Sequence, residues 1–199
     1  MSNLIVEFCK NVNDIKQTGD VLEFGTGWGA SAGYMGGELS KNLKIHTFDG
    51  FQGLPKTSKV IPDGTEWYEG NYNMEESETR EKLAPCKNVI VHATMTCDLK
   101  EPHEYGIKKI IAANMDMDLY ESTVDGLNFI EKCEWDEIIL RFDDWGCFPH
   151  QDPTEVFQHE ELAFNEWIER TGHTYAIDSN LLKVSLGMQS IIYVKRKNK

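Results

Sequence analysis

Short apolar runs alternate with helical patterns along most of the chain. Runs rich in isoleucine, valine and phenylalanine predict seven strands, and the stretches between them predict four helices. The predicted strands are residues 21–24, 44–48, 89–92, 109–115, 137–142, 174–177 and 190–195, and the predicted helices are residues 31–40, 75–84, 122–133 and 154–170. Strands that alternate with helices form parallel sheets covered on both faces, so the pattern predicts a doubly wound α/β fold.

The segments at the element ends refine this prediction. Asp152 and Pro153 precede the last helix as a cap and a first-turn proline, and Gly172 follows its end. Residues 178–188 carry no helix-length pattern, so the last two strands should form an antiparallel pair in a mostly parallel, Rossmann-like sheet of seven strands. Residues 50–72 lack periodicity and should form a long loop over the carboxyl ends of the strands.

Length and charge narrow the class of protein. A chain of 199 residues fits one domain, so we expect residues 1–199 to form a single globular unit. Lys and Arg total 20 against 33 Asp and Glu, and the net charge of −13 argues against a nucleic-acid partner. No apolar run reaches the ~20 residues of a membrane span, and residues 1–10 do not resemble a signal peptide. We therefore expect a soluble cytoplasmic protein without a membrane partner. The five cysteines form no C-x-x-C pair, which favours reduced thiols.

A glycine-rich turn follows the first predicted strand. Residues 23–30 read EFGTGWGA, and a helical pattern begins directly after them. Gly25, Gly27 and Gly29 let the backbone approach a ligand closely, while the N–H groups at the helix start suit a carboxylate. Asp49 ends the second strand, 24 residues after Gly25, where it can accept hydrogen bonds from a ribose diol. Together these features predict a site for a nucleoside-containing cofactor.

Two cofactors fit this turn. The spacing Gly25-x-Gly27-x-x-Ala30 also satisfies the dinucleotide fingerprint of NAD enzymes. Glu23 favours S-adenosylmethionine, because it could take the ammonium group of that cofactor and NAD has no such cation. Gly29, at the fifth place of the motif, points the same way. An NAD-dependent oxidoreductase and a nucleoside-binding protein without catalysis stay open as alternatives.

Three further segments link the chain to a known family. Residues 47–55, TFDGFQGLP, resemble the second motif of the macrocin O-methyltransferase family. Its members are class I methyltransferases that use S-adenosylmethionine, and often a divalent metal, to methylate sugar hydroxyls. Residues 116–123, DMDLYEST, resemble the family's D-x-D-L-Y-x-S-T, and residues 143–146, DDWG, its D-D-Y-G. With the glycine turn, the resemblance runs from about residue 21 to residue 146. The cofactor-binding residues expected on this reading are Glu23, Gly25, Thr26, Gly27, Gly29, Asp49, Gly50 and Phe51.

Two pairs of acids follow predicted strands. Asp116 and Asp118 come after an apolar strand, and Asp143 and Asp144 come after the next strand. In a doubly wound sheet both pairs would point into the crevice where ligands bind. Four carboxylates there would repel one another unless a cation lay among them, and oxygen ligands suit Mg²⁺ or a similar divalent ion. Acids that merely cap helices are the alternative.

The resemblance also implies roles for these acids. It makes Asp116, Asp143 and Asp144 metal ligands and Asp118 the base that takes the proton of a hydroxyl. The division among the four stays open, because a one-residue error at a strand end would exchange the two faces. His150 follows the paired acids and is a second candidate base. Aromatic residues in these loops could stack on adenine or on an apolar acceptor: Trp28, Phe51, Trp67, Tyr68, Tyr72, Tyr120 and Trp145.

The acceptor is expected to be a small hydroxylated molecule, a sugar or another metabolite. Only about twenty residues precede the first predicted strand, whereas family members usually carry a longer segment that helps to cover the acceptor. The lid over the acceptor is therefore expected to be reduced, or to be supplied by another subunit of a homo-oligomer. The sequence leaves the oligomeric state open.

Overall fold

Seven strands form one sheet of order β3-β2-β1-β4-β5-β7-β6 in the computed structural model, which describes residues 3–61, 66–146, 159–185 and 188–197. The strands are β1 (Asp20–Phe24), β2 (Ile45–Asp49), β3 (Val89–Ala93), β4 (Ile110–Met115), β5 (Glu137–Phe142), β6 (Thr174–Ile177) and β7 (Ser190–Lys195). The first five strands are parallel, and β7 runs antiparallel to both β5 and β6. The predicted sheet is confirmed, including its antiparallel edge.

Helices cover both faces of this sheet. They are α1 (Asn3–Asp14), α2 (Ala30–Glu38), α3 (Glu76–Leu83), α4 (Tyr120–Lys132), α5 (Glu160–Thr171) and α6 (Ser179–Val184). Side chains of α1 and α2 pack in one core against the sheet, and those of α4 and α5 pack in a second core on the opposite face. Within the described ranges, no helix has both the length and the apolar character needed to cross a membrane.

The structure contains two helices, α1 and α6, that the sequence pattern did not predict. Helix α1 buries five apolar side chains at helical spacing against the sheet: Leu4, Ile5, Phe8, Cys9 and Val12. Helix α6 lies where residues 178–188 were expected to form a plain loop, and that expectation was wrong. Asp178 caps this short helix by accepting the N–H groups of Asn180 and Leu181, each at 3.1 Å.

The end of α5 agrees with the sequence prediction. Gly172 follows the helix with φ 69°, in the left-handed region that glycine adopts without strain, and its N–H donates to the carbonyl of Ile168 at 2.8 Å. The predicted start at residue 154, with Asp152 and Pro153, lies outside the described residues.

Strand register brings the candidate site together. Phe24 aligns with Met115, and Met115 with Phe142, so β1, β4 and β5 end at the same level. The ladder continues one step beyond the strands, because the Asp116 N–H donates to the Phe24 carbonyl and the Asp143 N–H donates to the Met115 carbonyl, both at 3.0 Å. The strand order reverses between β1 and β4, which is the position where doubly wound sheets bind ligands.

Candidate active site

A cavity of about 460 Å³ opens at the carboxyl ends of the central strands. This volume suits a small molecule. The predicted site residues that line it are Gly25, Thr26, Gly27, Asp49, Gly50, Asp116, Asp118, Asp143 and Asp144. Three other predicted residues, Glu23, Gly29 and Phe51, are not among the lining residues.

A second cavity, of about 530 Å³, lies at the opposite end of the strands. Its walls are the end of α1, the starts of β5 and β6, and the end of β7. Neither the glycine turn nor the paired acids contribute to it. We place the candidate active site in the smaller cavity, because the predicted chemistry converges there.

The glycine turn requires glycine for geometric reasons. Gly25, Gly27 and Gly29 have φ values of 86°, 49° and 71°, in the left-handed region that other residues rarely adopt. A Cβ on Gly25 would also overlap the carbonyl oxygen of Asp116. The turn is therefore in direct backbone contact with the segment that carries the acids.

Asp49 links the end of β2 to this turn. Its Oδ2 accepts the N–H of Gly27 at 2.8 Å, and its Oδ1 accepts the N–H of Phe51 at 2.7 Å. A carboxylate oxygen can accept more than one hydrogen bond, so both oxygens can still accept ribose hydroxyls. Gly50 lies against Met95, and a Cβ there would overlap that side chain. Met95, which lines the cavity, carried no signal in the sequence.

Glu23 lies beneath the turn and is fully buried. Its Oε2 accepts the hydroxyl of Thr47 at 2.5 Å, and its Oε1 accepts the amide of Asn114 at 3.2 Å. Burial raises the pKa of Glu23 to about 7, although hydrogen bonds from Ser31, Thr47 and Asn114 oppose the rise. The role predicted for Glu23, binding of a cofactor ammonium group, stays a prediction.

Three acids converge on one point of the cavity. A carboxylate oxygen from each of Asp116, Asp143 and Asp144 lies within 4.8 Å of the others. Burial, followed by the charges of Asp143 and Asp144, raises the pKa of Asp116 well above its usual range. The three acids expected to bind a metal are thus neighbours, and a cation among them would relieve their repulsion.

Asp118 occupies a strained position beside these acids. Its φ is 60°, and the N–H of Leu119 donates to the carbonyl of Met117 at 2.5 Å, which closes a tight γ-turn around it. Burial and the neighbouring Asp144 raise the pKa of the Asp118 carboxyl, while a hydrogen bond from Trp67 opposes the rise. Such strain is typical of functional sites. His150, the second candidate base, lies outside the described residues.

Glu160 is a buried acid that sequence reasoning missed. It is fully buried in the first turn of α5, where its Oε2 accepts the N–H of Asp144 at 3.0 Å and its Oε1 accepts the N–H of Met117 at 3.4 Å. Burial, then the charges of Asp144 and Asp116, raise the pKa of Glu160. An acid in a first helical turn is common, so the sequence held no signal for this contact.

The predicted long loop is fastened to α4. Glu121 accepts the hydroxyl of Thr57 at 2.8 Å, and the N–H and hydroxyl of Ser58 at 2.7 and 2.6 Å. Burial raises the pKa of Glu121, but these bonds outweigh it and bring the pKa to about 2. The loop also closes on itself, because the N–H of Leu54 donates to the Asn71 carbonyl at 2.8 Å.

His159, the residue before α5, holds the same loop. Its Nε2 donates to the carbonyl of Val60 at 3.1 Å, and its ring packs edge-on against Trp67 with centroids 5.2 Å apart. Gly53, Leu54, Trp67 and Tyr72 line the cavity, so the loop forms part of its wall, as expected for its described residues.

This sheet, with β7 antiparallel between β5 and β6 and a cavity beside the end of β1, has the fold of the Rossmann-like methyltransferases. The O-methyltransferase NovP matches with a TM-score of 0.70 and 20% identity, over 98% of this chain and 80% of that chain. The calicheamicin methyltransferase CalS11 matches with a TM-score of 0.70 and 17% identity, over 98% and 78% of the two chains. The O-methyltransferase from Bacillus cereus, in complex with SAH, matches with a TM-score of 0.60 and 13% identity, over 99% and 82%.

No family model matches the sequence, and no curated protein matches it. The structural similarities confirm the predicted fold class, and they confirm the resemblance to class I methyltransferases at the level of the fold.

Proposed function

We propose that the protein is an S-adenosylmethionine-dependent O-methyltransferase that methylates a hydroxyl of a small molecule with the help of a divalent metal. One observation carries this proposal: a single cavity is lined both by the glycine turn with Asp49 and by Asp116, Asp143 and Asp144. Structural neighbours described as methyltransferases, one of them in complex with SAH, support it.

The glycine turn and Asp49 would bind the methyl donor. Asp49 holds the turn by accepting the Gly27 N–H and would accept the ribose hydroxyls with its remaining lone pairs. The backbone at the start of α2 would face the donor's carboxylate. When bound, S-adenosylmethionine supplies a methyl group on a sulfonium sulfur.

The donor set of the acid cluster fits a hard cation. Asp116, Asp143 and Asp144 offer three carboxylate oxygens close together, which suits Mg²⁺ with water or acceptor oxygens completing its shell. When bound, such an ion lowers the pKa of a hydroxyl that it contacts. The three carboxylates would hold it at the carboxyl ends of β4 and β5.

Asp118 would act as the base. Its carboxylate would take the proton of the acceptor hydroxyl as that oxygen gains the methyl group, and the donor sulfur would keep the electron pair of the broken S–CH₃ bond. Burial and Asp144 raise the proton affinity of Asp118, which brings its pKa closer to that of the acceptor hydroxyl. Trp67, which hydrogen-bonds Asp118, would orient this carboxylate.

The acceptor is proposed to be a sugar or another hydroxylated metabolite. The net charge of −13 disfavours a nucleic-acid acceptor, since phosphates would be repelled. A single domain and a cytoplasmic location stay predictions from the sequence, which leaves the oligomeric state open.

A thermal-shift comparison of S-adenosylhomocysteine, NAD and adenosine tests the donor assignment. A ligand at a hundred times its Kd stabilises a protein by ~2.7 kcal/mol, so we expect a clear rise in Tm with S-adenosylhomocysteine. Stabilisation by NAD alone would favour an oxidoreductase. Equal stabilisation by adenosine, without turnover on any hydroxylated acceptor, would favour a nucleoside-binding protein.

Chelation tests the metal assignment separately. Protein treated with a chelator should still bind S-adenosylhomocysteine, because the glycine turn and Asp49 make those contacts. It should lose methyl transfer until Mg²⁺ or Mn²⁺ is restored. Activity that is indifferent to chelation would reject the metal and leave Asp118 or His150 as an unaided base.

A further inference from the structure

A row of polar side chains crosses the centre of the sheet at one level. Thr47, Glu23, Asn114 and Arg141 are successive register partners on β2, β1, β4 and β5. All four are buried, with at most 3% of each residue exposed. The row faces α1 and α2, because Ile191, the register partner of Arg141 on β7, packs in their core.

Hydrogen bonds join this row from end to end. Glu23 accepts the Thr47 hydroxyl at 2.5 Å and the Asn114 amide at 3.2 Å, and the Asn114 carbonyl accepts Nη1 of Arg141 at 2.5 Å. At one end, the hydroxyls of Thr26 and Thr47 are 2.5 Å apart. At the other, Nη2 of Arg141 donates to Oδ1 of Asp143.

The row therefore runs from the glycine turn to the acid cluster. It places a carboxyl and a guanidinium beside the apolar core that α1 and α2 form with the sheet. Buried charges of this kind are weak contributors to stability, because apolar side chains of similar volume would fill the space as well or better. The contact between Arg141 and Asp143 points to a role at the site.

Asp143 has two donors on the same oxygen. Arg141 Nη2 and Gln189 Nε2 both donate to Oδ1, which leaves Oδ2 for a cation. We propose that Arg141, together with Gln189, is a positioning residue that fixes the Asp143 carboxylate so that it faces Asp116 and Asp144. This inference rests on the proposed function, since it takes Asp143 to be a metal ligand.

Positioning and simple charge predict opposite results. If Arg141 acted only through its charge, its removal would tighten cation binding, because a like charge near the cation would be gone. If it positions Asp143, its removal weakens cation binding. Arg141→Lys separates the two effects, because lysine keeps the charge but lacks the planar fork that reaches Asn114 and Asp143 together.

In the experiment, metal-free protein is titrated with Mn²⁺, and electron paramagnetic resonance measures the free and bound ion. We expect Arg141→Lys and Arg141→Met to weaken Mn²⁺ binding about tenfold or more, as is usual when the hydrogen-bond partner of a metal ligand is lost. The affinity for S-adenosylhomocysteine should stay within about twofold of the wild-type value. A general loss of structure would weaken binding of both ligands, so weaker binding of Mn²⁺ alone identifies a local effect. The matched control is Arg170→Met, because Arg170 is exposed and contacts Asn128, away from the site.

Unchanged Mn²⁺ affinity in Arg141→Lys, or tighter binding in Arg141→Met, would overturn the proposal. If these variants do not fold, Gln189→Ala decides the question, because Gln189 is only half-buried. It should also weaken Mn²⁺ binding, and unchanged affinity there contradicts the inference.

A failure of the proposed function would look different. If the wild type binds no Mn²⁺, the metal assignment fails, and a double-mutant cycle of Arg141→Met with Asp143→Asn then decides whether Arg141 holds Asp143. Positioning predicts Tm changes that are clearly non-additive in the double variant. Additive changes would overturn it.

Discussion

The carboxylate of Asp49 accepts the backbone N–H of Gly27 at 2.8 Å and so joins the end of β2 to the glycine turn that follows β1. The other oxygen accepts the N–H of Phe51, where the long loop begins. One side chain thus shapes two walls of the cavity while it offers acceptors to a ligand.

Replacing Asp49 should weaken binding of S-adenosylhomocysteine. We expect Asp49→Ala to lose about 1 to 3 kcal/mol of binding free energy, because the ribose hydroxyls and the Gly27 N–H lose a charged acceptor. Asp49→Asn should fall between this variant and the wild type, since it keeps one oxygen. Calorimetric titration measures the effect, and Asp136→Ala, at an exposed carboxylate paired with Lys109, is the control. Wild-type affinity in a folded Asp49→Ala protein would remove Asp49 from the site.

Two glycines with similar backbone angles should respond differently to alanine. Gly25 has φ 86° and its added Cβ would overlap the Asp116 carbonyl, whereas Gly106 has φ 75° and nothing within 4 Å of its added Cβ. Gly106→Ala should cost only the ~1 to 2 kcal/mol of a left-handed alanine. Gly25→Ala should cost about 3 kcal/mol or more, because the turn and the acid segment must move apart. Urea unfolding compares them, and equal losses would contradict the contact.

The acid cluster should make stability depend on pH. The pKa of Asp116 is raised in the folded protein, so its contribution is present below the ordinary Asp pKa and is lost as the pH rises through the folded value. Metal-free Asp116→Asn should therefore match the wild type near pH 4 and exceed it at pH 7 to 8 by about 1 kcal/mol or more. Thermal unfolding across this range is the measurement.

The control for this prediction is Asp14→Asn, which changes an exposed acid at the end of α1. It removes one negative charge from the surface and leaves the acid cluster intact, so it reports what the loss of a charge does outside the cluster. A constant difference for Asp116→Asn between pH 4 and pH 8 would show that the repulsion inferred for the cluster is absent.

Removing the Glu121 carboxylate should loosen the long loop. Thr57 and Ser58 both donate to Glu121, and hydrogen bonds to charged groups contribute about 1.5 to 3 kcal/mol each. In Glu121→Ala, trypsin should therefore cleave after Lys56 and Lys59 at least several times faster than in the wild type. Glu81→Ala, at an exposed position on α3, should leave the cleavage rate unchanged. Equal rates in both variants would show that Glu121 does not hold the loop.

The convergence of the acids was predictable because it follows from topology. Asp116 and Asp143 each come just after an apolar strand, and parallel strands that are neighbours end at one edge of the sheet. The contact of Glu160 with Asp144 was not predictable, since it depends on how the start of α5 packs against the segments that follow β4 and β5. That packing is a tertiary property that no local spacing encodes.

Two features that the sequence analysis did not predict do follow from residue patterns in the chain. Glu23 lies between Leu22 and Phe24, which face the α4 and α5 side, so strand alternation places its carboxyl on the opposite face, which α1 and α2 cover. Leu4, Ile5, Phe8, Cys9 and Val12 also followed a helical period. Helix α1 and the buried position of the Glu23 side chain could therefore have been predicted from the sequence. The hydrogen bonds that hold the long loop to Glu121 and His159 could not, because they join residues far apart in the chain.

The long loop is closed on itself through Leu54 and Asn71, and its fastenings lie on α4 and α5. None of these contacts uses the glycine turn. Substitutions at the described residues between 56 and 72 can therefore reshape this wall of the cavity without disturbing the Asp49–Gly27 contact. On the proposed function, variation in this segment would change the acceptor while the contacts to the methyl donor stay the same, and a library restricted to it would be the starting point for changing acceptor specificity.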